Sequence, residues 1–284
     1  MTAFLDAAIT VEREGWRLSL TDGGLPAAVR EELIGCALAA ARGTRGAPRR
    51  RSRHARTWQA KLGAPAELEI FIKLLDAPRG RELLKRWVRG PRSAHVARIT
   101  QALADAGFNV PPVIAIGMEA ATGRELIVAP RAEGEGPLRT LAALRSRPLA
   151  HKRAVLRALG AEIARLHRCG FVHGDLTPFN IFFVRAEPPR FVLIDHERTR
   201  RLVMPGRGRV RLRNLVQLGR FALPGISTTD RMRVFDGYAV RLAKAARRRL
   251  ARRAHALLGR RIRRDGLAPV HNPFGEAWPR RGAS

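Results

Sequence analysis

Hydrophobic and polar residues alternate along the first half of the chain and recur at intervals of three and four along the second. Residues 16–20 alternate as a strand would, and a helix follows over 26–41. Residues 43–51 carry Gly43, Gly46 and Pro48 with no periodicity and read as a loop. Two β-like runs, 57–62 and 68–75, flank Gly63-Ala64-Pro65-Ala66, the pattern of a hairpin. Val96, Ile99 and Leu103 predict a helix over 93–106 that stops at Gly107, and Pro111-Pro112 then opens an extended segment through Ile116. A further strand, 125–129, is halted by Pro130.

Beyond it, Leu156, Leu159, Ile163 and Leu166 mark a buried amphipathic helix ending at Gly170. Two short apolar runs, 180–184 and 191–194, are joined by Ala186-Glu187-Pro188-Pro189 and read as a hairpin lying under a site. Helices are predicted over 211–221, 229–238 and 240–262. Strands first and helices later describe an α+β chain with a small β-rich lobe, a mainly helical lobe and a ligand cleft expected between them. The boundaries expected are an amino-terminal extension over 1–48, a first lobe over 49–130, a second over 131–238 and a basic helical tail over 239–284.

Composition adds two constraints. At 284 residues and 45% apolar the chain can bury a real core, yet no apolar run approaches the roughly 20 residues that cross a bilayer. The opening MTAFLDAAITVEREGW lacks a basic segment leading into an apolar one, so a cytoplasmic location is expected. Cys36 and Cys169 are too few for a disulfide framework and read as small buried side chains in a reducing compartment. The second constraint is charge: 54 Lys plus Arg against 24 Asp plus Glu leaves +30, a field that attracts polyanions such as an anionic membrane face or nucleic acid.

Chemistry concentrates in His173-Gly174-Asp175-Leu176-Thr177-Pro178-Phe179-Asn180 and, one hairpin later, Ile194-Asp195-His196-Glu197. A His two positions before an Asp, with an Asn five after it, resembles the kinase catalytic loop, and the second segment resembles the kinase metal-binding aspartate. Phosphoryl transfer needs a carboxylate to orient and deprotonate the acceptor hydroxyl, and magnesium to neutralise the phosphates. In those terms Asp175 is the catalytic base, while Asn180 and Asp195 offer the hard oxygens that magnesium prefers on ATP. His173 and Glu197 are supporting residues, His173 as a buried scaffold of the loop. Lys73, a charge amid the alternating apolar residues of Glu69-Ile70-Phe71-Ile72-Lys73-Leu74, resembles the kinase lysine that reaches the phosphates.

Beyond the loop, the chain resembles the lipopolysaccharide kinase family. Arg56-Thr57-Trp58, Ala106 to Pro111, His173 to Asn180, Ile194 to Arg198, Arg213-Asn214-Leu215 and Asp230 to Arg233 carry the resemblance, over roughly 49–238. It implies a bilobal protein-kinase-like fold and ATP-dependent phosphorylation of a heptose or 3-deoxy-octulosonic acid hydroxyl. The implied acceptor is an anionic glycolipid at the cytoplasmic face of the inner membrane, with the enzyme peripheral there. Three departures accompany it. Gly174 stands where protein kinases have Arg, and Asp195-His196-Glu197 where they have Asp-Phe-Gly. The predicted helix over 93–106 supplies only Asp105 as an acidic residue, near its end, so Glu82 is the stand-in for the usual glutamate partner of Lys73. Two competing readings remain: an aminoglycoside-type small-molecule kinase, whose cationic acceptors a +30 surface repels, and an RNA-associated or non-catalytic kinase-like protein.

Between Arg241 and Arg264 lie eleven Lys or Arg and no acidic residue, with Leu242, Ala246, Leu250, Leu257 and Leu258 at helical spacing. Such a basic amphipathic helix suits an anionic membrane, a solvated face whose leucines dock on the second lobe, or, as the weaker alternative, nucleic acid.

Overall fold

The alternating first half forms an antiparallel sheet because its even and odd positions are apolar toward two different helices. The structure, a computed structural model, describes residues 8–266 apart from 22–23, 53, 64–66, 79, 81–82, 84–89, 146, 185–186, 203–207, 222 and 224. Its internal contacts divide the chain into two units, Met1–Ala132 and Glu133–Ser284.

In the first unit the strands are β1 Ala8–Arg13, β2 Trp16–Thr21, β3 Arg50–Arg51, β4 Ala55–Leu62, β5 Leu68–Leu75, β6 Ala115–Glu119 and β7 Glu125–Pro130. They form one sheet in the order β1-β2-β6-β7-β5-β4-β3, antiparallel throughout. Helix α1, Ala27–Arg42, covers one face, where Val29, Leu33, Ile34 and Leu38 pack with Trp16, Trp58, Ile70, Ile72, Leu74, Leu126 and Val128. Helix α2, Arg92–Asp105, covers the other, where Val96 and Ala97 meet Leu75, Ile116 and Ile127. Period-two alternation thus serves both faces. The boundary expected at residue 48 falls inside this unit, since β2 pairs with β6 and α1 supplies half of the larger core. Gly43 and Gly46 serve turns: Gly43 ends α1, and the Gly46 carbonyl accepts from Trp58 Nε1 at 3.1 Å.

The second unit holds α3 Pro137–Arg145, α4 Leu149–Arg168, α5 Gly208–Gly219, α6 Thr228–Tyr238 and α7 Lys244–Asp265. Its short strands are β8 Phe171–Val172, β9 Ile181–Val184, β10 Arg190–Leu193 and β11 Arg200–Arg201, paired β9 with β10 and β8 with β11. Helices α1, α2 and α4 each begin just after a proline, whose fixed φ suits a helix entry. α6 instead begins at a capping box in which Ser227 and Asp230 each accept from the other's backbone N–H. α4 and α6 pack closely, and Gly160 and Gly237 are the reason: a Cβ on Gly160 would lie 1.9 Å from the Val234 carbonyl oxygen, and one on Gly237 1.9 Å from that of Arg157.

Asp230 ties α6 to α4. Its buried carboxylate accepts from Lys152 Nζ at 2.7 Å and Arg233 at 2.6 Å. Burial alone would raise its pKa, but the Lys152 and Ser227 hydrogen bonds outweigh that and hold it at about 2. A depressed carboxylate contributes stability above its unfolded pKa and loses it as pH falls through the folded value. We therefore expect a stability loss of about 2 kcal/mol between roughly pH 4 and pH 2 that Asp230→Asn abolishes. Denaturant melts of both proteins across that range check it, and parallel acid curves would contradict it.

The expected burial of both cysteines does not hold. Cys169 is exposed and Cys36 half-buried, because Cys169 closes α4 at the surface just before the chain turns at Gly170.

Candidate active site

The candidate site residues of the second unit sit between secondary elements too short to stand alone, so their geometry comes from hydrogen bonds between the two motifs. α4 ends at Arg168, and β8 then leads into His173. A 3-10 turn, Pro178–Asn180, opens β9, and after β10 comes Asp195, then a second turn, His196–Arg198. β11 returns to pair with β8, Arg200 opposite Val172 and Arg201 opposite Phe171. Inside that frame the His173 Nε2–H donates to the Ile194 carbonyl at 2.9 Å, the Ile194 N–H to the Asn180 carbonyl at 3.1 Å, and the Thr199 hydroxyl to the His173 carbonyl at 3.1 Å. These three bonds hold the candidate base and the candidate metal residues in one rigid group.

His173 is 0% exposed, and burial lowers its pKa, so it is a neutral scaffold. His196 behaves likewise: burial takes it to about 3, and its nitrogens bond the Leu193 carbonyl and the Thr199 hydroxyl. Two backbone features explain residues that look odd in sequence. Gly174 has φ 72°, and a Cβ there would stand 2.2 Å from the Arg198 carbonyl oxygen, so a side-chain-bearing residue has no room in this loop. Asp195 also lies in the left-handed region, at φ 65° and ψ 66°, a conformation that costs energy for a non-glycine residue and concentrates at functional sites.

Asn180 Nδ2 donates to the Asp175 carbonyl at 2.9 Å, which also accepts from the Thr177 N–H at 2.8 Å. With its NH2 so engaged, the Asn180 amide keeps its oxygen as an acceptor for a metal ion. Among the described residues no group of three or more His, Cys, Asp or Glu is placed to hold a metal. Magnesium that arrives on a triphosphate needs only one or two protein carboxylates, so Asn180 with Asp195 fits such an ion. Glu197 lies half-buried in the turn after Asp195.

α5 supplies contacts that sequence reasoning did not assign, although Arg213-Asn214-Leu215 carried part of the family resemblance. Asn214 Oδ1 accepts from the His173 N–H at 3.3 Å and from His167 Nε2 at 3.1 Å, and Tyr238 completes the chain through His167 Nδ1 at 2.8 Å. Burial depresses His167 to about 4. Gln217 Nε2 donates to Asp175 Oδ1 at 2.6 Å. Asn214 and Gln217, one turn apart, share a helix face, a signal legible only once that face is known to meet the loop.

In the first unit Lys73 occupies the middle of β5, opposite Ile127 of β7 and on the α2 side of the sheet. Glu82, the stand-in for its acidic partner, lies outside the described residues. Glu125 of β7, opposite Leu75, lies on the same face, fully buried. Its Oε2 accepts from the Ser93 N–H and hydroxyl, both at 2.7 Å, and so caps the first turn of α2. A glutamate placed on a strand escapes a search confined to the helix.

Residues 53–238 match the lipopolysaccharide kinase (Kdo/WaaP) family. The chain belongs to that family. The family is described as one of lipopolysaccharide kinases. The matched region takes in Lys73 and every candidate residue of the second unit, and stops before α7. A stretch of 94 residues is also 36% identical to KEOPS complex subunit Bud32 of Pyrococcus abyssi, and covers 33% of this chain and 40% of that protein.

Proposed function

We propose that this lipopolysaccharide-family kinase moves the γ-phosphate of ATP onto a sugar hydroxyl of a lipopolysaccharide core or a related anionic glycoconjugate. The observation that carries the reading is the loop in which Asn180 bonds the Asp175 carbonyl and His173 bonds the Ile194 carbonyl next to Asp195, with a glycine at 174 where a Cβ would meet the Arg198 carbonyl. Asp175 accepts the proton of the acceptor hydroxyl as its oxygen attacks phosphorus, and the bond to the ADP oxygen breaks. Asn180 Oδ1 and the Asp195 carboxylate hold magnesium, which supplies charge neutralisation on the phosphates when bound. Lys73 contacts the nucleotide phosphates, and His173 and Glu197 support the two loops.

The test is direct. With labelled ATP, magnesium and a lipopolysaccharide extract, label accumulates in the glycolipid in proportion to protein. ATPase activity stimulated by RNA, with no label in the glycolipid, would replace the reading with the RNA-associated one, which the arginine-rich α7 favours.

For the location, we propose peripheral attachment to the anionic cytoplasmic face of the inner membrane through α7. Leu250, Leu257, Leu258 and Ile262 are half-buried on the side of α7 that packs with α5, while Arg248, Arg249, Arg252, Arg253, Arg260 and Arg263 are exposed. Such a helix adheres by charge and keeps its leucines out of the lipid. No helix among the described residues is long and apolar enough to cross a membrane. Reversing three charges (Arg248→Glu, Arg252→Glu, Arg263→Glu) should weaken binding to anionic vesicles roughly 100-fold or more at about 1 kcal/mol per charge. Sedimentation with vesicles measures it, and unchanged binding would remove the membrane role of α7.

A further inference from the structure

We propose that Gln217 is the positioning residue of the catalytic base. The inference rests on Asp175 being that base, and it concerns how one carboxylate is aimed.

A carboxylate at the tip of a loop has a soft terminal torsion, so its two oxygens exchange places unless something distinguishes them. The main chain of Asp175 is already pinned, since its carbonyl takes the Thr177 N–H and the Asn180 amide. The side chain is not pinned by the loop. Its bond comes from Gln217, 42 residues downstream on α5, whose Nε2 lies 2.6 Å from Oδ1. That occupies Oδ1 and leaves Oδ2 to receive the hydroxyl proton. An amide suits the task better than a cation would. It donates without neutralising the carboxylate, so the base keeps its charge for the proton it must take.

The anchor is rigid for a reason visible in the fold. One turn earlier on α5, Asn214 accepts from the His173 backbone N–H and from His167, which is tied to Tyr238 of α6. The helix that orients the Asp175 side chain is therefore also bonded to the loop backbone, and Gln217 cannot drift relative to Asp175 without breaking the Asn214 bonds. Sequence motifs place the base and its metal residues within one short stretch, whereas this contact exists only because α5 folds back over the loop.

Three variants in the full chain separate a positioning role from a structural one. Gln217→Leu removes the donor, and Gln217→Glu keeps length and shape but offers only acceptor oxygens to a carboxylate. Gln217→Lys restores a donor of different shape. Misplacing a reacting group by about 1 Å costs up to about 100-fold. We expect kcat to fall roughly 10- to 100-fold in Gln217→Leu and at least as far in Gln217→Glu. The KM for ATP should stay within about twofold, and Gln217→Lys should recover part of the loss. A packing role predicts the reverse order, with the isosteric Gln217→Glu closest to wild type, and that order would overturn the proposal, as would wild-type kcat in Gln217→Leu. Should Gln217→Leu fail to fold, the order of Gln217→Glu against Gln217→Lys still decides. Asp175→Ala run alongside separates the two claims. Undiminished transfer in that variant removes the base assignment itself, whereas its loss together with wild-type kcat in Gln217→Leu removes only the positioning role.

Discussion

Asp175→Ala should lower phosphoryl transfer by at least about 10³-fold while leaving the KM for ATP within a few-fold. A positioned general base contributes roughly 10²- to 10⁴-fold. Here the same carboxylate also orients the acceptor hydroxyl, which adds to the lower end of that range. ATP affinity should survive because Lys73, Asn180 and Asp195 remain. The stability cost is small, since the loop backbone is held by bonds that the substitution spares: the His173 imidazole to the Ile194 carbonyl, and the Asn180 amide to the Asp175 carbonyl. Asp175→Asn sharpens the comparison, because it keeps the shape and loses only the proton acceptor. Steady-state transfer to lipopolysaccharide measures both variants. Full activity in either would mean that the hydroxyl proton leaves by another route, and the roles proposed for this loop would have to be reassigned.

The largest expected effect on folding lies away from the chemistry, where α4 crosses α6. Gly160→Ala would place a methyl group 1.9 Å from the Val234 carbonyl oxygen and 2.7 Å from the Tyr238 backbone nitrogen. Both are main-chain atoms of a helix, so neither can swing aside as a side-chain end would. The helices must separate by an ångström or more, which strips contacts from Ile163 and Phe235 and loosens the Tyr238–His167 bond. Overpacking of this kind costs about 3 kcal/mol or more. With a urea slope of about 1–3 kcal/mol per molar, the unfolding midpoint should fall by roughly 1 M or more. An unchanged midpoint would show that the helix pair does not depend on this close approach. The damage would also reach the site, because Asn214 and the catalytic loop are braced through His167 against the same pair.

The candidate loop could be read from sequence because its motif is local. The spacing from His173 to Asp175 to Asn180, and the single hairpin before Asp195, are set by a tight loop and two short strands with no slack for insertion. Gly174 looked like a departure from protein kinases. The structure supplies its cause, a backbone carbonyl where a Cβ would stand. The strands at 68–75 and 125–130 were legible as well, since alternation survives wherever two faces are buried against different helices. β1, β8 and β11 were not, nor was helix α3. β8 and β11, like β3, are two residues long and have no period, and β8 finds its partner far along the chain; β1 has six residues but is an edge strand with none of them buried, so no buried alternation marks it.

The order of residues by itself determined most of the succession of strands and helices and the spacing of the candidate motif. All of these depend on neighbours within a turn or a hairpin. Tertiary structure alone decided that β1 and β2 complete the sheet of the first unit, that Glu125 caps α2 from a strand, that Leu250, Leu257 and Leu258 of α7 are half-buried, and that Gln217 meets Asp175. Each of those contacts joins residues distant in the chain, and nothing in local spacing encodes which of many amphipathic faces will be buried against which.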